Sequence, residues 1–288
     1  MADLIDNFII KFVHVLYASI KDFNKNRCLY SASSLSFFSL STFVPFLAIL
    51  VGVATYFKSF NLLKNFLLVN FSIHHDLILL VISKLNKFVK NTNMGLITLI
   101  GVFFIVMMLF NIFLSLEDTF NTIWKAEQGR SWINKLIFYP LLTLIGPIIF
   151  IMVLSIGITF LGAAKSFLYS HEILSTVLPI IQGSIFVSNL ATKIIPHFVF
   201  WIILFNLYIY LPNAKVKFLP ALIGSLVATA LFIGIQTLYI YLQINLTRHN
   251  ALYGSFAIIP FLLLSIHYSW GIILYGSQLS YSIQNPEQ

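Results

Sequence analysis

Charged residues are scarce in this sequence. Asp, Glu, Lys and Arg together make up 9% of its 288 residues, while 59% of the residues are hydrophobic. Because a soluble domain carries about 25% charged residues, the surface of a soluble protein cannot be assembled from this composition. We therefore predict an all-α fold, a polytopic membrane helical bundle in which most side chains face lipid or other helices.

Cysteine and acidic residues are also scarce. The single cysteine, Cys28, excludes an intrachain disulfide and any metal site built on several cysteines. The acidic residues number nine, and a two-metal nuclease centre would need several of them together. The motifs HExxH, GxSxG and the P-loop do not occur. We therefore predict no catalytic, cofactor-binding or metal-binding residue and no enzymatic activity.

Basic residues outnumber the acids, and the formal net charge is +8. The 17 Lys and Arg are spread through the predicted loops without forming a dense cluster. This distribution favours attraction to anionic lipid headgroups over binding to nucleic acid. We expect membrane lipids as partners and no nucleic acid.

Six apolar stretches are long enough to cross a bilayer, which needs about 20 residues. We predict spans at residues 33–57, 95–116, 136–162, 194–211, 219–242 and 256–281, within a transmembrane domain of residues 29–282. Charged residues interrupt the segment 59–92, which indicates amphipathic helices on the membrane surface. The segment 173–192 is uncharged but diluted by polar residues. We favour a surface or re-entrant segment there, with a seventh span as the alternative.

The two ends of the chain are predicted to lie outside the spans. In residues 1–28, apolar side chains recur on one helical face, while Lys11, His14 and Lys21 lie on the other. This pattern favours an amphipathic helix in the membrane interface, with an amphipathic helix packed on protein as the alternative. Residues 283–288 form a short tail.

Small and hydroxylated residues form a stripe along the first span. At about 100° per residue, one face carries Ser31, Ser34, Ser41, Thr42, Pro45, Ala48 and Gly52. Such a face is either a packing surface for another helix or the polar wall of a path for a lipid headgroup. Pro45 leaves a carbonyl without its helical partner and is expected to kink the span.

The fifth span has a similar face, formed by Ala221, Ser225, Ala228, Gln236 and Gln243. Gly224 and Ala228 add a pair of small residues one turn apart. The two faces predict either that the first and fifth spans pack together or that they flank one cavity.

Two further polar residues, Asn111 and His267, lie inside predicted spans. Polar groups in a bilayer usually face the bundle or a water-filled cavity. Structural hydrogen bonding is the simpler interpretation of both. The alternatives are a place on the ligand path for Asn111 and a proton-relay or metal role for His267.

The second span ends on two adjacent acids, Glu117 and Asp118, rather than on lysines. Neighbouring residues of a helix point about 100° apart and do not face each other. The two carboxylates therefore cannot easily share one proton or one reacting atom, which argues against a catalytic carboxylate pair.

Several motifs of this sequence are shared with one membrane protein family. SLSFFSLSTFVPFL is a small-residue helix leading to a proline, and LEDTFNTIW contains Asn121 and Trp124. YLPNAKV contains Pro212 and Asn213 in a Leu-Pro-Asn turn before a basic residue, and Gly224 follows shortly after.

The most specific motif is NALYGSFA, which contains Tyr253, Gly254 and Ser255 before the last span. Together these motifs resemble the BrkB/YihY family of bacterial inner-membrane proteins, once labelled ribonuclease BN. One position departs from the family pattern, because Gln278 stands where a glutamate is expected.

The resemblance implies six spans with both termini in the cytoplasm, in the bacterial inner membrane. It also implies that Glu117 and Asp118 lie where the second span leaves the membrane on the cytoplasmic side. Lys125, Arg130 or Lys135 can pair with them there. LEDTFNTIW is then either an anchor at the helix end or part of a gate or headgroup site.

From the sequence we expect a transporter of a lipid or another amphiphile, passive or gradient-driven. The alternative is a non-catalytic membrane scaffold or envelope-integrity factor with an envelope protein partner. The family resemblance adds virulence-related resistance to the proposals. The candidate residues for a substrate path or gate are Ser34, Ser41, Pro45, Asn111, Glu117, Asn121, Pro212, Asn213, Gln236, Tyr253, Gly254 and Ser255.

Overall fold

The computed structural model describes four stretches of the chain. They are residues 2–56, 94–141, 195–249 and 254–286, with isolated helical positions at 83, 87, 152 and 155. Apart from these isolated positions, the predicted surface segment 59–92, the segment 173–192 and most of the third predicted span lie outside the described residues.

The described stretches contain helices and no strand, which confirms the all-α fold class. The helices are α1 (Ala2–Lys25), α2 (Cys28–Tyr56), α3 (Met94–Ile123), α4 (132–141), α5 (Ile195–Tyr210), α6 (Phe218–His249) and α7 (Gly254–Gln284). Two helical segments in the described part are long and apolar enough to cross a membrane, Gly95–Ile123 and Phe218–Leu242. The number of six spans stays a prediction.

Helices cover the described residues of five of the predicted spans, and some of these helices extend beyond the predicted bounds. α3 continues past the predicted end at 116 by two turns, and α6 continues past 242. α4 begins before the predicted start of the third span at 136. These extensions carry polar residues beyond the apolar stretches, because helix formation does not stop where hydrophobicity does.

The chain divides into two compact units, Met1–Ser36 with Leu114–Gln288, and Phe37–Phe113. In the first unit, α7 contacts the helices around it. It packs on α6 and α1. The fully buried Tyr208 of α5 donates a hydrogen bond to the backbone carbonyl of Ile273 in α7 at 2.6 Å. Trp124, which follows α3, donates a hydrogen bond to the Ser277 hydroxyl at 3.1 Å.

Glycines set the close approach of α6 and α7. A Cβ atom built on Gly224 would overlap the Ser280 hydroxyl and the carbonyl oxygen of Gly276. A Cβ atom on Gly276 would lie 2.6 Å from Ala228 Cβ. Each helix thus contributes two small residues one turn apart, which lets the two backbones meet. The face predicted on the fifth span is therefore a packing face toward the last helix.

In the second unit, the small-residue stripe of α2 meets α3. A Cβ atom on Gly101 would lie 3.2 Å from the carbonyl oxygen of Pro45 and 3.1 Å from Ile49 Cγ1. A Cβ atom on Gly52 would overlap the Thr98 side chain. At these positions the stripe has the packing role, which was one of its two predicted interpretations.

The last turns of α1 pack on α7. Ser19 is buried and lies 3.3 Å from the Tyr275 hydroxyl, and the Phe23 ring meets the edge of the Tyr275 ring at 5.7 Å between centroids. Tyr17 and Ile20 are exposed on another side of α1. This helix combines a protein-packed side with an exposed apolar side, and its place in the membrane interface stays a prediction.

We predict that Gly224→Ala destabilises the protein by about 1–3 kcal/mol, because the added methyl group overpacks the α6–α7 contact. Thermal unfolding of the full chain in detergent measures the effect. Gly234→Ala on the same helix is the matched control, since a Cβ atom there meets no described atom within 4 Å. Equal unfolding temperatures for the two variants would contradict the packing role of Gly224.

Candidate functional site

Glu117 is the centre of a buried ionic cluster. Its side chain has no exposed surface. One carboxylate oxygen accepts a hydrogen bond from the Tyr139 hydroxyl, and the other accepts one from the backbone N–H of Arg130 at 3.1 Å. Lys135 Nζ lies 3.3 Å away and an Arg130 guanidinium nitrogen 3.8 Å away. One buried carboxylate is thus compensated by two cations and two hydrogen-bond donors.

The local sequence explains how these groups meet. Lys135 and Tyr139 are four residues apart on α4, so they lie on the same helical face. Asp118, next to Glu117 on α3, lies at the rim of the cluster: its Oδ1 is 3.9 Å from Lys135 Nζ, and its side chain is 73% exposed. The divergence of the two acids agrees with the geometry expected of adjacent helical residues, and only Glu117 enters the protein.

Arg130 connects this cluster to the end of α5. Its guanidinium donates hydrogen bonds to the backbone carbonyls of Tyr210 and Leu211. It also lies over the Phe138 ring, 4.6 Å from the centroid. Contacts with carbonyls, a carboxylate and an aromatic face hold the planar guanidinium in one orientation. The charge of Arg130 is therefore held in place before any ligand arrives.

The Leu-Pro-Asn turn between α5 and α6 docks on α3. Asn121 accepts a hydrogen bond from the backbone N–H of Asn213 at 2.8 Å, and the Asn213 side chain donates to the carbonyl of Gln128 at 2.7 Å. Pro212, which directly precedes Asn213, is buried. The motifs LEDTFNTIW and YLPNAKV, which are far apart in sequence, therefore contact each other in the structure.

The end of α3 explains why acids rather than lysines close this span. Lys125 follows the helix with φ 48°, the left-handed conformation that commonly ends helices. Its ammonium lies 5.4 Å from the centroid of the Tyr281 ring. The basic residue usual at a helix end is thus present just after the last turn, and the preceding Glu117 is directed inward.

A groove of about 510 Å³ opens beside the cluster, and we call it the α4 groove. Its lining residues are Gly129, Arg130, Ser131, Asn134, Ile137, Phe138, Leu141 and Asn213. The polar members come from the α3–α4 linker, the first turn of α4 and the Leu-Pro-Asn turn, while the apolar members follow along α4. The groove therefore has a cationic, amide-rich end and an apolar wall.

Four of the twelve predicted site residues gather at this place: Glu117, Asn121, Pro212 and Asn213. Gln236 lies elsewhere in the same unit. Gln236 donates to Ser269 at 3.1 Å, between α6 and α7. That bond is a packing contact inside the bundle, so Gln236 is satisfied by protein rather than presented to a ligand.

The predicted residues of the first and second spans are divided between the two units. Ser34 is exposed, whereas Ser41 and Pro45 are half-buried. Asn111 donates to the carbonyl of Met107 at 2.9 Å, one turn earlier on its own helix, which agrees with the structural interpretation of this residue.

The remaining candidates concern the last span. Tyr253 and the side chain of Ser255 lie outside the described residues, and Gly254 begins α7. Nδ1 of His267 lies 3.4 Å from the Ser33 hydroxyl, a polar contact between helices. Within the described ranges, no group of three His, Cys, Asp or Glu side chains is placed to hold a metal ion.

Tyr139 is the residue of the cluster that sequence reasoning missed. A tyrosine in an apolar run resembles the interfacial aromatics that are common in membrane proteins. Its spacing of four residues from Lys135 was the available signal. Gln278, which replaces an expected glutamate, accepts a hydrogen bond from Asn26 at 2.9 Å and ties the α1–α2 turn to α7.

Comparison with known proteins identifies the relatives of this chain. The family model described as Virulence factor BrkB matches residues 19–288. The chain belongs to the BrkB family. The match extends over every helix of the cluster, so the resemblance seen in the motifs is confirmed. No solved structure gives a significant match.

The curated relatives of this BrkB-family chain are named as membrane proteins. A UPF0761 membrane protein of Glaesserella parasuis is 29% identical over 207 residues, covering 70% of this chain and 67% of the relative. One of Actinobacillus pleuropneumoniae is 26% identical, covering 87% and 86%. One of Photobacterium profundum is 28% identical, covering 91% and 78%. The protein is therefore a membrane protein of this family.

We predict that Glu117→Gln destabilises the protein by about 3 kcal/mol, because it leaves the buried Lys135 and the half-buried Arg130 without their carboxylate. Asp118→Asn, the matched control one residue away, should change stability by less than about 0.5 kcal/mol, since its carboxylate is largely solvated. Thermal unfolding in detergent compares the two. A Glu117→Gln variant as stable as Asp118→Asn would show that the buried cluster does not stabilise the fold.

Proposed function

We propose that this BrkB-family membrane protein binds an amphiphile with an anionic headgroup in the α4 groove and moves it across or within the bacterial inner membrane. The observation that carries the proposal is the oriented guanidinium of Arg130 at the end of an apolar wall. The arrangement matches a molecule with a charged head and a hydrocarbon tail.

The headgroup chemistry follows from the polar end of the groove. A guanidinium has more N–H donors than the two used on the carbonyls of Tyr210 and Leu211. Arginine binds phosphate oxygens with a well-defined geometry. Asn134 and Asn213 add amides that can donate to the same oxygens. A phosphate-bearing headgroup therefore suits this end better than a cationic one.

The tail chemistry follows from the other end. Ile137 and Leu141 remain 64% and 50% exposed and lie along the groove with Phe138. Exposed apolar side chains of a membrane protein are suited to acyl chains. A lipid whose head meets Arg130 can keep its tail against α4 and the surrounding bilayer.

We propose that the protein moves the amphiphile without catalysing a chemical reaction. The sequence has no nucleotide-binding motif, so we propose passive or gradient-driven movement and no catalytic role. The acids of the cluster serve its structure, since Glu117 is buried against cations and Asp118 faces outward. The former ribonuclease label finds no support in such an arrangement.

Transport is tested with NBD-labelled phosphatidylglycerol in liposomes that contain the full-length protein. Dithionite quenching reports movement of the lipid between leaflets. We expect Asn134→Trp, which fills the polar end of the groove, to slow movement by at least about tenfold, equivalent to about 1.4 kcal/mol. Ile133→Trp introduces the same bulky side chain at the neighbouring exposed position, which lies outside the groove. This variant should leave the rate unchanged.

Two results would overturn the proposal. One is the absence of lipid movement by a wild-type protein that shows a normal thermal transition after reconstitution. The other is an equal rate for the two tryptophan variants. If Asn134→Trp instead loses a co-purifying envelope protein, the scaffold function takes the place of transport.

We also propose that the cluster lies on the cytoplasmic side together with both termini. The contacts of this cluster and of the turns beside it join several helix ends. These are the C-terminal ends of α3, α5 and α7 and the N-terminal ends of α4 and α6. The 17 Lys and Arg divide almost equally between the two sides of a six-span chain, so the positive-inside rule does not choose between them; the cytoplasmic position is proposed from the family resemblance.

The orientation is tested by cysteine labelling in intact cells. Cys28 is buried, and its burial raises the pKa of the thiol to about 12, so the native thiol reacts slowly with maleimides at neutral pH. Lys215→Cys places an exposed thiol in the α5–α6 turn. An impermeant maleimide should label it only after permeabilisation, with the wild-type protein as the unlabelled control. Labelling of intact cells would reverse the proposed orientation.

A further inference from the structure

A second groove lies between α1 and the C-terminal end of α7, with a volume of about 280 Å³. We call it the α1–α7 groove. It is lined by His14, Val15, Tyr17, Ala18, Lys21, Asp22, Tyr281, Ser282, Asn285 and Pro286. It shares no lining residue with the α4 groove, and neither the sequence motifs nor the proposed transport accounts for it.

One face of α1 forms the first wall of this groove. His14, Ala18, Lys21 and Asp22 follow the spacing that places residues on one side of a helix. Lys21 and Asp22 are sequence neighbours and do not face each other. No salt bridge joins either of them to another described residue. The wall therefore presents a cation and an anion that are paired neither with each other nor with another described residue, and both line the groove.

The last turns of α7 form the second wall. Ser282 is 4% exposed, and its hydroxyl has no hydrogen-bond partner among the described residues. A buried hydroxyl without a partner is costly, and this one belongs to a residue that lines the groove. Asn285 adds an amide beside it. A ligand with acceptor oxygens would satisfy the Ser282 hydroxyl.

We infer that the α1–α7 groove binds the phosphoethanolamine headgroup of a zwitterionic membrane lipid. The Lys21 ammonium and the Ser282 hydroxyl would donate hydrogen bonds to the phosphate oxygens, and the Asp22 carboxylate would pair with the ammonium group of the lipid. A simple anion would match Lys21 but would meet repulsion from Asp22. The presence of both signs in one small groove is what distinguishes this headgroup from free phosphate or an anionic lipid.

The membrane source of the ligand follows from the outer surface of α1. Tyr17, which lines the groove, and Ile20, which does not, are 67% and 52% exposed. Tyrosine is common at the level of lipid headgroups, and an exposed isoleucine suits the acyl region below. A lipid can thus bury its headgroup in the groove and leave its chains outside, which would fasten α1 to the membrane surface.

The inference is tested by native mass spectrometry of the full-length protein in detergent, titrated with phosphatidylethanolamine or phosphatidylglycerol. Lys21→Gln should weaken phosphatidylethanolamine binding about fivefold, because a charge-assisted contact is lost. The control is Lys25→Gln, the same change one turn later on α1 and outside the groove. It should bind like the wild type.

A second variant tests the role of the anion independently. Asp22→Asn should reduce the preference for phosphatidylethanolamine over phosphatidylglycerol about fivefold, since only the former carries an ammonium group. Soluble phosphoethanolamine should compete with the lipid, and inorganic phosphate should not. The thermal transition of each variant verifies that it is folded.

Three results would overturn the inference: equal binding by Lys21→Gln and Lys25→Gln, an unchanged lipid preference in Asp22→Asn, or displacement of the lipid by inorganic phosphate as readily as by phosphoethanolamine. The last would indicate a site for simple anions. None of these results bears on the α4 groove, whose test uses other residues and a different measurement.

Discussion

The buried carboxylate of Glu117 is the constraint on which the cluster and the α4 groove depend. A charge without exposed surface is tolerated only when cations and donors surround it. Lys135 and Tyr139 therefore have to come from α4, and the backbone of Arg130 from the linker. These contacts with Glu117 hold α4 in its position against α3. They also set the place of the guanidinium that reaches across to the end of α5.

Polar residues have different roles inside the bundle and at its end. Along the helices they are used by the protein itself, as with Gln236 on the serines of α7 and Tyr208 on a backbone carbonyl. An unsatisfied polar group in an apolar interior is costly, so such bonds are formed within the protein. At the end of the bundle, outside the apolar interior, water can form hydrogen bonds with such groups. Side chains such as Asn134 can remain exposed there and meet a ligand.

Some of the residues that the sequence singled out for a path or gate lie together in the structure, and others do not. Glu117, Asn121 and Asn213 were singled out and do meet, because motifs at helix ends and turns carry local geometry that spacing reveals. Ser34 was expected on a shared inward face, but it is exposed. A helical wheel shows which residues share a face and not which neighbour the face meets. The same limit applies to Gly224, whose partner on α7 was not predicted.

The sequence by itself determined the class of this protein. A chain with so few charges and such long apolar stretches has to place its helices in a membrane, because neither water nor an ordinary core can accommodate them. Only the tertiary structure decided the pairing of helices and the environment of each polar group. Those depend on contacts between residues far apart in sequence, such as Arg130 with Tyr210 or Asn26 with Gln278, and hydrophobic periodicity does not encode such contacts.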